Sequence, residues 1–172
     1  MRSMQGDASH PPPTERLFFR RWSAEDLPFA TLLWGDPRVT ALTGGPFGAD
    51  RVGALLDAQL AAGLQYWPIF LRAGGDLAGC CGLRPYPRRA ATLELGFHLR
   101  PGHWGKGLAT EAARAVIGFA FTRAGAAALF AGHHPDNAAS ARTLQRLGFR
   151  YTHDELYPAT GRQHPSYLLL AP

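Results

Sequence analysis

The segment His103-Trp104-Gly105-Lys106-Gly107-Leu108-Ala109-Thr110-Glu111-Ala112 joins an expected strand to an expected helix. Glycine lets the backbone approach a ligand closely, and the first N–H groups of a helix have no partner within it. Together they form a pocket suited to an anion such as a pyrophosphate. Two familiar phosphate loops do not fit. A Walker loop needs Ser or Thr after Gly-Lys, and Lys106 is followed by Gly107. A dinucleotide fingerprint starting at Gly105 finds Thr110 where its third glycine belongs, and no acidic residue lies between Arg114 and His134 to hold a ribose.

Several side chains are candidates for chemistry. Glu94 lies in the alternating run 92–99, with Leu93, Leu95, Phe97 and Leu99 on one face and Glu94, Gly96 and His98 on the other. A carboxylate in an apolar strand is costly to bury without a partner, so Glu94 faces either a cleft or the water at a sheet edge. His98, two residues on, is its neighbour or an alternative base. Asn137 suits a helix N-cap, and Ser140 falls in the first turn behind it, where serine is often structural. His103, His133 and His134 lack the spacing of a ligand set, so no metal is expected. Trp34, Phe47, Tyr66 and Trp67 either line a pocket or pack in the core.

The string Glu94-Leu95-Gly96-Phe97-His98-Leu99-Arg100-Pro101-Gly102 and the loop that follows it closely resemble the acyl-CoA region of the GCN5-related N-acetyltransferases (the GNAT superfamily), in its RimJ/RimL-type branch. The superfamily's loop reads Gln or Arg, two residues, Gly, one residue, then Gly or Ala. Trp104 departs at the first position, where an aromatic is common in that branch. Asn137, Ser140, Arg142, Leu144, Leu147, Gly148 and Phe149 resemble the second signature, and Thr14-Glu15-Arg16-Leu17 resembles the opening. The resemblance spans residues 14–170.

It implies a GNAT fold of the α/β (α+β) class: a mixed, mostly antiparallel central sheet flanked by helices and splayed at the acetyl-CoA site. It also implies acetyl-CoA as cosubstrate and acetyl transfer by direct attack of a primary amine, on a small molecule or a protein N-terminus. The pantetheine arm enters between strands 92–99 and 127–132, held by backbone groups around Phe97 and Leu99, with the Leu99 N–H near the thioester oxygen. Amide groups of Trp104, Gly105, Lys106, Gly107, Leu108, Ala109 and Thr110 hold the pyrophosphate, and Lys106 adds positive charge. Asn137 also hydrogen-bonds the pantetheine arm, and Ser140 lies near the thioester sulfur as an assisting acid. An alkyl ammonium of pKa ~10.4 cannot attack before losing a proton, and Glu94, through a water, is the expected base. A homodimer is compatible with this reading. The competing reading is a non-catalytic acyl-CoA sensor or a nucleic-acid-associated module.

These residues need elements to position them. Residues 17–22 read as a strand, and Ser23 with Asp26 as the start of a short helix to about Trp34. Asp50 caps a helix ending around Gly63, whose Val52, Leu55, Leu56, Leu60 and Leu64 recur at helical spacing. Residues 67–72 and 77–84, separated by Ala73-Gly74-Gly75-Asp76, read as a hairpin. After strand 92–99 comes a helix over 107–124, with Ala109, Ala112, Ala113, Val116, Ile117, Ala120 and Phe121 inward and Glu111 and Arg114 outward. A strand at 127–132, a helix at 137–147 closed by Gly148, and strands at 149–153 and 167–170 complete the chain. This order argues for one mixed sheet covered by helices.

Composition bounds the reading. A chain of 172 residues fits one domain. It is placed at 14–172, behind a flexible tail at 1–13 that has no periodic apolar pattern. With 46% hydrophobic and 11% aromatic residues it can build a core, and 18% charged is too few for a disordered chain. No window suits a membrane-spanning helix and the start has no apolar signal stretch, so a soluble, cytoplasmic protein with no membrane partner is expected. Adjacent Cys80 and Cys81 cannot staple distant segments, which fits a reducing compartment. The balance of 18 basic and 13 acidic residues gives +5, yet the arginines are scattered and Lys106 is the single lysine. A solvated surface or an anionic cofactor site explains this better than nucleic acid.

Overall fold

The computed structural model describes residues 9–172. Within these residues seven strands form one sheet: β1 (Leu17–Phe19), β2 (Tyr66–Leu71), β3 (Leu77–Pro85), β4 (Thr92–Leu99), β5 (Ala128–Gly132), β6 (Arg150–Tyr157) and β7 (Arg162–Leu170). Their spatial order is β1-β2-β3-β4-β5-β7-β6, and every neighbouring pair is antiparallel except β4 with β5. The mixed, mostly antiparallel sheet is therefore as expected. Among the described residues five α-helices cover it: α1 (Leu27–Trp34), α2 (Pro37–Thr40), α3 (Ala49–Ala61), α4 (Leu108–Thr122) and α5 (Ala138–Arg146).

Strand alternation divides the core between the two faces. Cys81, Leu83, Leu95 and Leu129 pack with Leu108, Ala112, Ala113 and Val116 of α4 and Leu144 of α5. Phe70, Leu77 and Cys80 pack on the other face with Ala30, Leu33 and Trp34 of α1 and Val52 and Leu56 of α3. The adjacent cysteines thus enter opposite clusters, both buried and unbridged. Burial pushes the Cys80 thiol up to about 12, so it is an inert apolar group at neutral pH. No helix among the described residues is long and apolar enough to cross a membrane.

Several boundaries move. Residues 1–8 of the expected tail lie outside the described residues. The Trp67 indole donates to the Ser9 carbonyl at 3.1 Å and Pro11 is buried, so packing against the domain begins before residue 14. β1 stops at Phe19, because Arg20 turns its guanidinium onto Asp26. Asp26 also accepts from the Ser23 N–H at 2.8 Å, the expected reach-back of a capping box. Gly48, not Asp50, is the N-cap of α3. The largest difference is the final hairpin, where β6 runs to Tyr157 and β7 begins at Arg162.

One close approach fixes the register beneath the site. Tyr66, Gly82 and Gly96 stand side by side across β2, β3 and β4. A Cβ on Gly82 would run into the Gln65 carbonyl, and one on Gly96 would meet the Tyr66 hydroxyl at 2.5 Å. Glycine here lets the Tyr66 ring lie across the sheet and reach β4. Gly82→Ala must displace backbone and is expected to cost about 1–3 kcal/mol or more. Urea unfolding measures it, and an unchanged midpoint would contradict the close contact.

Candidate acetyl-CoA and acceptor site

Parallel pairing between β4 and β5 covers only Thr92 with Ala128, Leu93 with Leu129 and Glu94 with Phe130. β4 continues to Leu99, paired with β3 along its whole length, while β5 turns toward β7. Backbone direction alternates along a strand. Because Arg100 N–H donates to Ala78 and Thr92 C=O accepts from Tyr86, the even-numbered residues point toward β3. The Leu95 N–H closes the parallel ladder on the Phe130 carbonyl, and the N–H groups of Phe97 and Leu99 beyond it face the gap. The Leu99 carbonyl on that side accepts from the Trp104 indole at 2.8 Å, leaving Leu99 its N–H alone to offer.

Beyond β4 the chain makes a single 3-10 turn over Pro101–His103 and enters the glycine loop. Gly105 and Gly107 have φ of 72° and 74°, left-handed values that favour glycine. Gly107 is the N-cap of α4 with no side-chain cap, and the first helical bond runs from the Glu111 N–H to the Gly107 carbonyl at 3.1 Å. The N–H groups of Leu108, Ala109 and Thr110 consequently have no helical partner. The Leu108 side chain is buried in the core, so only its backbone can serve a ligand. Lys106 folds back, its Nζ donating to the Gly102 carbonyl at 2.7 Å.

Glu111 does not face outward as its periodicity suggests. It accepts from Thr14 Oγ1 at 2.6 Å, the Arg16 N–H at 2.9 Å and Arg16 Nε at 2.7 Å. Arg16 also donates to the Lys106 carbonyl at 2.9 Å. The start of β1 is thereby fastened to both the loop and α4. No local signal betrays this contact, since the partners lie 95 residues apart.

Between the parted strands a cleft of about 800 Å³ draws on both sheet faces and brings together Glu94, Phe97, His98, Asn137 and Ser140. Trp34, Phe47 and Tyr66 line it too, whereas Trp67 is fully buried in the core. Leu99 and the loop from Trp104 to Thr110 lie outside that lining, at the far end of the gap. Overhead, Gly44 and Ala159 touch: a Cβ on Gly44 would meet the Ala159 carbonyl at 2.8 Å. The segment before α3 and the β6–β7 hairpin thus meet over the cleft.

Environment separates the titratable groups. Arg84, opposite Glu94 on β3, donates to both its oxygens at 2.8 and 2.7 Å. His98 Nδ1 accepts from the Trp34 indole at 3.2 Å, which places the neutral ring's proton on Nε2. Burial, aided by Arg84, pulls His98 down to about 4. A ring so weakly basic, with its acceptor nitrogen already engaged, is a poor base. Asn137 caps α5, accepting from the Ser140 N–H at 3.0 Å. Its amide nitrogen and the Ser140 hydroxyl make no protein hydrogen bond among the described residues. His133, absent from the expected site, accepts from the Tyr167 hydroxyl at 3.1 Å through Nε2 while Nδ1 bonds the His134 carbonyl at 2.8 Å. No group of three or more His, Cys, Asp or Glu among the described residues is placed to hold a metal.

Residues 16–150 match a family model described as an acetyltransferase (GNAT) domain. An uncharacterized N-acetyltransferase p20 of Bacillus licheniformis is 29% identical over 143 residues, 80% of each chain. A crystal structure of an acetyltransferase from Agrobacterium tumefaciens superposes with TM-score 0.79 at 28% identity, covering 94% of this chain and 95% of that one. A spermidine N-acetyltransferase from Vibrio cholerae, solved with CoA and spermine, has TM-score 0.77 at 16% identity, over 91% and 96% of the two chains.

Burial alone would raise the Glu111 carboxyl, but hydrogen bonds from Thr14 and Arg16 outweigh it and hold it below its usual range. A group lowered in the folded state adds stability above its unfolded value, and that stability is lost as pH falls through the folded one. Glu111→Gln is therefore expected to be less stable than the wild type at pH 7, with the gap shrinking below about pH 4. Urea midpoints at pH 7 and pH 3 measure this, and a gap that persists at pH 3 would show that ionisation is not what holds the contact.

Proposed function

This chain belongs to the GNAT acetyltransferases, and from that premise we propose that it is an acetyl-CoA-dependent N-acetyltransferase acting on a primary amine. One observation carries the reading. The outward N–H groups of Phe97 and Leu99, the left-handed glycines and the uncapped start of α4 form a continuous line of donors along the parted strands. Such a line suits a ligand that has amide carbonyls at one end and a pyrophosphate at the other. The Vibrio relative's CoA supports the same assignment.

Bound acetyl-CoA supplies an activated thioester, which a neutral amine attacks directly. The chain's own residues prepare that attack. The outward N–H groups of Phe97, which borders the cleft, and Leu99, beyond it, are available to the carbonyl oxygens of the bound thioester and its pantetheine arm. Arg84 fixes Glu94 so that each carboxylate oxygen keeps a lone pair for a water on the cleft side, through which the acceptor's proton leaves. The Asn137 amide is free to bond the pantetheine arm, and the Ser140 hydroxyl to assist the departing thiolate.

Acetyl-CoA at a hundred times its Kd is expected to stabilise the protein by about 2.7 kcal/mol. Gly107→Val, forced into a left-handed conformation beside the donors, should lose most of that thermal shift. No shift for the wild type at millimolar acetyl-CoA would refute the cofactor assignment.

Glu94→Gln keeps shape and removes basicity. Its kcat should fall about 10²- to 10⁴-fold with acetyl-CoA affinity nearly intact, and recover in part at high pH, where more acceptor is already neutral. A fall of less than about threefold would instead give Glu94 a structural or acceptor-binding role.

A further inference from the structure

The charges around the acceptor cleft do not balance. Its lining carries the arginines Arg51, Arg84 and Arg88 and the carboxylates Glu94 and Glu155. Arg84 is spent on Glu94, and Arg88 meets Glu155 at 2.7 Å, where the Tyr86 hydroxyl also donates at 2.8 Å. Arg51 pairs with no carboxylate among the described residues. Its guanidinium instead lies over the Phe47 ring, 5.5 Å from the centroid, on the α3 side of the cleft. Burial lowers both His98 and His164, which disfavours their adding further positive charge. Much of the remaining wall is aromatic or apolar: Trp34, Phe47, Tyr66, Phe130 and Tyr157.

We propose that the acceptor is a primary amine bearing an anionic group, a carboxylate or a phosphate, on an apolar or aromatic body, and that Arg51 receives that anion. The proposal rests on the acetyltransferase reading and names its substrate class. A planar guanidinium already held over an aromatic ring presents a preformed fork to either anion. A polyamine fits the same cleft badly. Its second ammonium would leave water for a site where both carboxylates already have partners, and an unmatched buried charge is costly. The aromatic wall accommodates a ring or aliphatic body and offers nothing to a chain of cations.

The test compares acceptors matched in shape, by acetyl-CoA-dependent thiol release: 4-(aminomethyl)benzoate against 4-(aminomethyl)benzamide, O-phosphotyramine against tyramine, and spermidine. The anionic member of at least one pair should have a kcat/KM about tenfold or more above its neutral partner. Which pair shows it tells carboxylate from phosphate. Arg51→Gln should remove most of that advantage through KM, with less than about threefold effect on the neutral acceptor, and Arg51→Lys should restore part of it. Preference for the neutral members or spermidine, or an Arg51→Gln loss equal for charged and neutral acceptors, overturns the inference and leaves the acetyltransferase standing. Absence of thiol release with every amine overturns both.

Discussion

Everything at the site depends on β4 keeping its β3 partner while losing β5. Backbone donors left without partners are costly, so a strand can expose one edge only if its other edge is secured. β3 pairs with β4 from Gly79 opposite Leu99 to Pro85 opposite Leu93, and β7 pairs with β5 along its full length. Each strand at the gap thus has one complete antiparallel ladder behind it. The three parallel pairs at the base hold the fork, and Phe97 and Leu99 can present N–H groups beyond it.

The two ends of this gap solve opposite electrostatic problems. At the loop end the positive character comes from backbone donors and the start of α4, yet Glu111 sits within the first turn. Bonding Thr14 and Arg16 turns that carboxylate from a rival of an incoming anion into a fastening for the loop, because Arg16 offsets its charge and also grips the Lys106 carbonyl. At the cleft end Glu94 and Glu155 are each matched by an arginine. Tyr86 adds a mechanical link: its ring stacks on Phe130 of β5 at 4.0 Å while its hydroxyl reaches Glu155 of β6.

What the sequence revealed follows from which constraints are local. Strand 92–99 was legible to the residue because Leu93, Leu95, Phe97 and Leu99 alternate with Glu94, Gly96 and His98, and the structure keeps that alternation. Gly148, with φ of 86°, closes α5 for the local reason read from it. The outer halves of β6 and β7 were not legible. Thr152-His153-Asp154-Glu155 and Arg162-Gln163-His164-Pro165 lack an apolar face, since β6 is an exposed edge and both segments lead toward the cleft rather than the core. α2 is too short to show a period. Partners such as Arg84 for Glu94 or Arg16 for Glu111 require the register of the folded sheet, which no single segment encodes.

That missing register gives the two candidate bases visible in the sequence different surroundings. Glu94 and His98 share one face of β4, so periodicity treats them alike. Across the ladder, however, Glu94 faces Arg84, whereas His98 faces Cys80 under the Trp34 indole. An acceptor nitrogen bonded to an N–H donor in an apolar setting is driven toward the neutral ring, which keeps His98 uncharged and engaged. A carboxylate gripped at both oxygens by a guanidinium is fixed in orientation, and each oxygen retains a lone pair for a further donor. One strand therefore carries, four residues apart, a ring whose acceptor nitrogen is already engaged and a carboxylate oriented by a guanidinium with lone pairs left on the cleft side.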